Sequence, residues 1–76
     1  MEKKLYDING KEIKLNSIVV VSHLNFYPYE YKLIKNEEDI LVFKGLNGDD
    51  KDKEYIAYQK RVDRNYFVVK NQKEDL

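Results

Sequence analysis

The stretch Leu5-Tyr6-Asp7-Ile8-Asn9-Gly10-Lys11-Glu12-Ile13-Lys14-Leu15 reads as a β-hairpin and sets an all-β reading for the whole chain. An Asn-Gly pair between strand-like flanks favours φ > 0 at both positions, which predicts a two-residue type I′ turn. Pairing the flanks across that turn puts Tyr6, Ile8, Ile13 and Leu15 on one face. Asp7, Glu12 and Lys14 fall on the other, with Leu5 as the exception.

Beyond Asn16-Ser17, Ile18 to Leu24 is a β-branched run that predicts a buried strand. Phe26-Tyr27-Pro28-Tyr29 reads as a connector, because Pro28 cannot donate to a central ladder. Extended patterns resume over Glu30–Lys35 and Ile40–Lys44, separated by the polar turn Asn36-Glu37-Glu38-Asp39. The segment 45–53 reads as a loop with Asn47-Gly48 at its tip, its part Asp49-Asp50-Lys51-Asp52-Lys53 too charged to pack. Glu54 to Tyr58 alternates Tyr55 and Ala57 against Ile56 and Tyr58, and Tyr66–Lys70 makes a last strand. Between them Ile56, Tyr58 and Val62 leave the period open to a short helical turn near residues 59–65. Short strands divided by turn signals predict a small antiparallel barrel of five to six strands, of the SH3-like type, which removes most open edges. Residues 1–70 read as one barrel domain and 71–76 as a frayed tail.

With 76 residues the chain is near the lower limit for an unaided core. It has no Cys, which removes disulfides, thiolate zinc sites and cysteine nucleophiles. That absence, an opening that reaches charged residues before any apolar run, and the lack of an apolar stretch of about 20 residues predict a cytoplasmic protein without membrane spans. Basic and acidic residues balance at 14 each, against the basic excess of a dedicated nucleic-acid binder. The aromatic set is seven Tyr and three Phe with no Trp, which suits a thin core grading into its surface.

Three segments carry the binding expectations. In Phe26-Tyr27-Pro28-Tyr29-Glu30-Tyr31, an extended chain places Tyr27, Tyr29 and Tyr31 on one face, as a partner surface or as cover for the barrel. The acidic loop with Asp49, Asp50 and Asp52 fails as a calcium loop, since the sixth position from Asp50 is Tyr55 and the twelfth is Arg61. It reads as a solvated turn, with docking on a basic protein groove as its functional alternative. Lys60, Arg61 and Arg64 form the arginine-bearing basic cluster, suited to a partner's carboxylate or to phosphate.

Catalysis finds little support. His23 is the sole histidine, and its neighbour Ser22 points to the opposite face of a strand. Three glycines do not make a phosphate-cradling loop. No cofactor and no metal site is expected.

The run Asp7-Ile8-Asn9-Gly10-Lys11-Glu12-Ile13-Lys14 followed by Ile18-Val19-Val20 resembles the start of YopX-type and related small phage proteins. These commonly read Asp-x-x-Gly-x-x-Ile and then Gly-Asp-x-Val, where this chain has Asn16-Ser17-Ile18-Val19. The resemblance covers the first quarter of the chain. It implies a mobile-element origin and a small β-barrel, and carries no catalytic residues. Taken with the motifs, it predicts a non-enzymatic, phage- or prophage-encoded protein that binds a host or phage protein stoichiometrically. An inhibitor of a host enzyme or defence system, of the anti-CRISPR kind, fits that description. The alternative is a small nucleic-acid-binding barrel, and a homodimer is compatible with either.

Overall fold

The computed structural model describes residues 4–21 and 29–70. Tyr27, His23 and the tail 71–76 lie outside the described residues, as does the end of the run expected to reach Leu24. The chain forms β1 (Leu5–Tyr6), β2 (Glu12–Ile13), β3 (Ile18–Val21), β4 (Glu30–Lys35) and β5 (Leu41–Gly45). A 3-10 turn (Gly48–Asp50), β6 (Glu54–Ile56), α1 (Gln59–Asn65) and β7 (Phe67–Val69) follow. All pairings are antiparallel, so the fold is small and all-β, with one short helix at the predicted place.

Among the described residues seven strands divide between two sheets: β1 pairs with β2, and the larger sheet runs β6-β5-β4-β3-β7. β3 to β6 form a meander, after which α1 carries the chain across so that β7 pairs with β3, Val20 opposite Val68. β3 and β4 bury alternate residues as a period of two requires, whereas β5 buries both Val42 and Phe43. Val19 and Val21 of β3, Tyr31 and Leu33 of β4 and Phe43 of β5 meet Phe67 of β7 and Val62 of α1 in one core. Phe43 and Phe67 pack edge to face with centroids 5.0 Å apart, the geometry that ring quadrupoles favour.

The first hairpin is one residue out of the expected register. Leu5 pairs with Ile13 and Tyr6 with Glu12. The turn is therefore three residues, closed by Gly10 N–H donating to Asp7 O at 2.9 Å. Gly10 alone takes positive φ in this turn, at +85°, as in a type I turn followed by a left-handed glycine. A one-residue slip exchanges faces. Leu5, Asp7 and Ile13 face inward, whereas Tyr6, Ile8 and Leu15 are exposed.

The cause is Asp7, the one charged side chain buried among the described residues. Its Oδ1 accepts from the backbone N–H of Asn9 (2.9 Å) and Lys11 (2.8 Å), and its Oδ2 from Val69 N–H (2.9 Å). Burial pushes the Asp7 carboxyl up, but the bonds from Val69, Lys11 and Asn9 outweigh it and hold the group below its ordinary range. The hairpin is thus fastened to β7. Gln59, at the start of α1, fastens it again: its Oε1 accepts from Tyr6 N–H at 2.9 Å and its Nε2 donates to Tyr6 O at 2.7 Å.

Within the loop 45–53 the charged side chains of Asp49, Lys51, Asp52 and Lys53 stay exposed as expected. The backbone nevertheless folds back closely on β5, and Asp50 is half-buried. Gly45 N–H donates to Lys53 O, and Asp52 N–H to Gly45 O, both at 2.9 Å. A Cβ on Gly45 would lie 1.9 Å from Asp50 O, so only a residue without one lets the turn fold this closely over β5.

Candidate functional site

Against this frame α1 and the Gly48–Asp50 turn stand on either side of a cleft of about 280 Å³. Its aromatic lining is Tyr31, Phe43, Tyr55 and Phe67; Asp50 comes from the turn and Arg61, Arg64 and Asn65 from α1. β4 and β6 aim Tyr31 and Tyr55 into it through their alternation, and their rings meet edge to face at 6.3 Å.

Asp50 is the inner anchor. Tyr31 Oη donates to its Oδ2, and Tyr55 Oη donates to its Oδ1 at 2.8 Å. Above all the bond from Tyr31, with that from Tyr55, holds the Asp50 carboxyl below its ordinary range despite partial burial. Burial and the same carboxylate push the Tyr31 hydroxyl well up; for Tyr55 the bond to Asp50 is the leading cause of an upward shift. Asp50 is held ionised and both phenols protonated, so none of the three exchanges a proton near neutrality.

The outer rim belongs to α1. Arg61 Nη1 donates to Ile56 O at 2.8 Å, and its guanidinium lies 5.0 Å from the Tyr58 ring centroid and 5.5 Å from that of Tyr55. Both distances are within cation–π range. Asn65 Nδ2 donates to Arg61 O at 2.9 Å. Arg64, one turn on, is exposed and makes no ion pair or hydrogen bond among the described residues.

The structure therefore brings Tyr31, Asp50, Arg61 and Arg64 to one cleft and separates the other expected contacts. Tyr31 is corrected from surface to core: at 7% exposure its ring cannot meet a partner face-on. Its alternation with Leu33 in β4 puts both on the buried side. Tyr29 is half-buried and packs against the core. Asp50 is corrected from a solvated loop to a doubly bonded anchor, because Gly45 lets its turn approach. Asp49 and Asp52 stay exposed, Asp52 3.7 Å from Lys51, and Lys60 is exposed on α1. Among the described residues no three His, Cys, Asp or Glu side chains converge on a metal position, and no helix is long and apolar enough to cross a membrane.

Tyr55, Asn65, Phe43 and Phe67 were not in the expected set. The alternation of Glu54 to Tyr58 held a signal for Tyr55, but its partner Asp50 emerges only from the folded turn. Comparison with protein-family models, curated protein sequences and solved structures gives no match to this chain.

Replacing Asp50 by Ala is expected to lower the pH at which both phenols ionise, read by tyrosinate absorbance and by ring NMR signals. Tyr55 should return further toward its ordinary value than Tyr31, whose upward shift owes most to burial. An unchanged titration of Tyr55 would mean that the carboxylate does not hold its proton.

Proposed function

We propose that this chain is a non-enzymatic interaction protein that binds a partner protein stoichiometrically through the cleft between α1 and the Gly48–Asp50 turn. The carrying observation is an aromatic-walled cleft whose fixed floor ends at an exposed arginine, Arg64. Tyrosine and arginine beside a rigid pocket are what interface hot spots are made of. A binding rather than catalytic role is favoured by the proton states in the cleft, since a general acid or base needs a pKa near the working pH and Asp50, Tyr31 and Tyr55 are all moved away from it. An SH3-like barrel is supported by the meander β3–β6, the short helix after it and the return of β7 to β3. A phage or prophage origin, with inhibition of a host enzyme or defence system as the biological role, rests on the resemblance of residues 7–20.

The test is affinity capture by the tagged protein from a Gram-positive lysate, with and without nuclease, followed by reconstitution with the captured protein. We expect one protein at one-to-one stoichiometry in both samples, and loss of capture with Arg64→Glu. Partners that vanish with nuclease, together with binding to single strands that weakens steeply with salt, would replace this reading by the nucleic-acid one.

A further inference from the structure

Resting on that reading, we infer that the cleft receives an acidic side chain beside a flat apolar one: a partner's carboxylate on Arg64, its apolar neighbour against Tyr55. The argument is one of charge complementarity. The two guanidiniums in the cleft face no acid that is matched to them. Asp50 accepts a hydroxyl on each oxygen, and Asp63, the acid on α1 itself, accepts from Gln59 Nε2 at 2.9 Å. Arg61 and Arg64 are three residues apart, on neighbouring positions of one helix surface. Arg61 is fixed by the Ile56 carbonyl and two rings. It contributes a stationary positive field, while Arg64 supplies a free planar fork that fits a carboxylate with two parallel bonds.

The aromatic wall selects the neighbour. Half-buried Tyr55 lines the cleft together with Arg64, and about 280 Å³ accommodates one large side chain. The flanking acids select the class of macromolecule. Asp50 lines the cleft itself, with Asp49 beside it in the Gly48–Asp50 turn and Asp52 two residues on. Their charge, diluted by Lys51 and Lys53, disfavours a run of phosphates along the cleft more than one carboxylate bonded to Arg64. The occupant is therefore a peptide segment of a protein, not a strand.

The probes are N-acetyl-Phe-Glu-amide and its uncharged counterpart N-acetyl-Phe-Gln-amide, titrated at millimolar concentrations into the 15N-labelled full chain. We expect saturable NMR shifts at Tyr55, Arg64, Asn65 and Phe67 with the Glu peptide, and binding about tenfold weaker with the Gln peptide, the scale of one charge-assisted hydrogen-bond pair. Arg64→Gln, checked for an unchanged melting temperature, should abolish the difference between the peptides. Equal binding of both, shifts confined to another surface, no shifts at the solubility limit, or discrimination that survives Arg64→Gln would each overturn the inference. Tighter binding of oligothymidylate to the same residues would overturn it too. If Arg64→Gln still captures the lysate partner while the peptides fail to discriminate, the acidic specificity falls and partner binding stands. Failure of capture by the wild-type protein removes partner binding instead.

Discussion

Asp7→Ala is expected to destabilise the protein by about 2–4 kcal/mol, a loss of about 15 °C in melting temperature for a domain of this size. The reason is that the substitution strands three backbone donors at once. Asn9 and Lys11 lose the acceptor that shapes the turn, and Val69 loses the one that joins β7 to the hairpin. Asp7→Asn should fall between wild type and alanine. Its Oδ1 still accepts from Asn9 and Lys11, but an amide NH2 then confronts the N–H of Val69. The sign of the pH dependence follows from the depressed pKa. Asp7 contributes its full stabilisation above about pH 5; the loss begins near pH 4, where the unfolded carboxylate binds its proton first, and continues as the pH falls through the lower folded pKa. The gap in stability between wild type and Asp7→Ala should therefore narrow in denaturant titrations at acid pH. A gap that is constant from neutrality to about pH 3 would show that the carboxylate charge is not what holds the turn.

Gly45→Ala is the second large effect, expected to cost about 3–5 kcal/mol. The added Cβ would meet backbone rather than a yielding side chain: 1.9 Å from Asp50 O and 2.6 Å from Asp50 C. The turn must lift away, which breaks the paired bonds of Gly45 with Lys53 and Asp52 and withdraws Asp50 from Tyr31 and Tyr55. Two readouts should move together. The melting temperature drops, and tyrosine ionisation shifts to lower pH as in Asp50→Ala. In wild type the raised phenol pKa values add stability that is intact below about pH 10 and declines above it, as unfolded tyrosines ionise first. A Gly45→Ala protein of wild-type stability would mean that the turn has room the geometry denies it.

These two positions also mark where local reading of the chain fails. The strands at Ile18, Glu30–Lys35 and Ile40–Lys44 and the turn at Asn36 were legible to within a residue at the ends the structure describes. The helical turn at 59–65 was left open by the pattern. β-branched stretches, alternation and polar turn residues act over a few neighbours. The hairpin register was not legible. Asn9-Gly10 favours a two-residue turn, and the competing signal was a carboxylate whose third donor lies 62 residues away. The same holds for Asp50. Its charge predicts solvent exposure, and what reverses this is a missing side chain five residues earlier together with two hydroxyls from separate strands. Tyr31 is a different case. Its alternation with Leu33 already pointed inward, and grouping it with Tyr27 and Tyr29 as a surface gave weight to residue type over face.

The bond between Asp7 and Val69 has a bearing on how the protein is made. A chain growing from its N-terminus presents the hairpin and β3 early, but the partner of both is β7. Until synthesis has passed Val69 the edge of β3 is unpaired, the Asp7 carboxylate lacks its last donor and Phe67 is missing from the core. A nascent chain halted within α1 therefore carries an open strand edge, the feature that invites pairing with other chains. Closure of the sheet edge at β3 thus waits on β7, and the exposed period is the time between translation of β3 and release of β7.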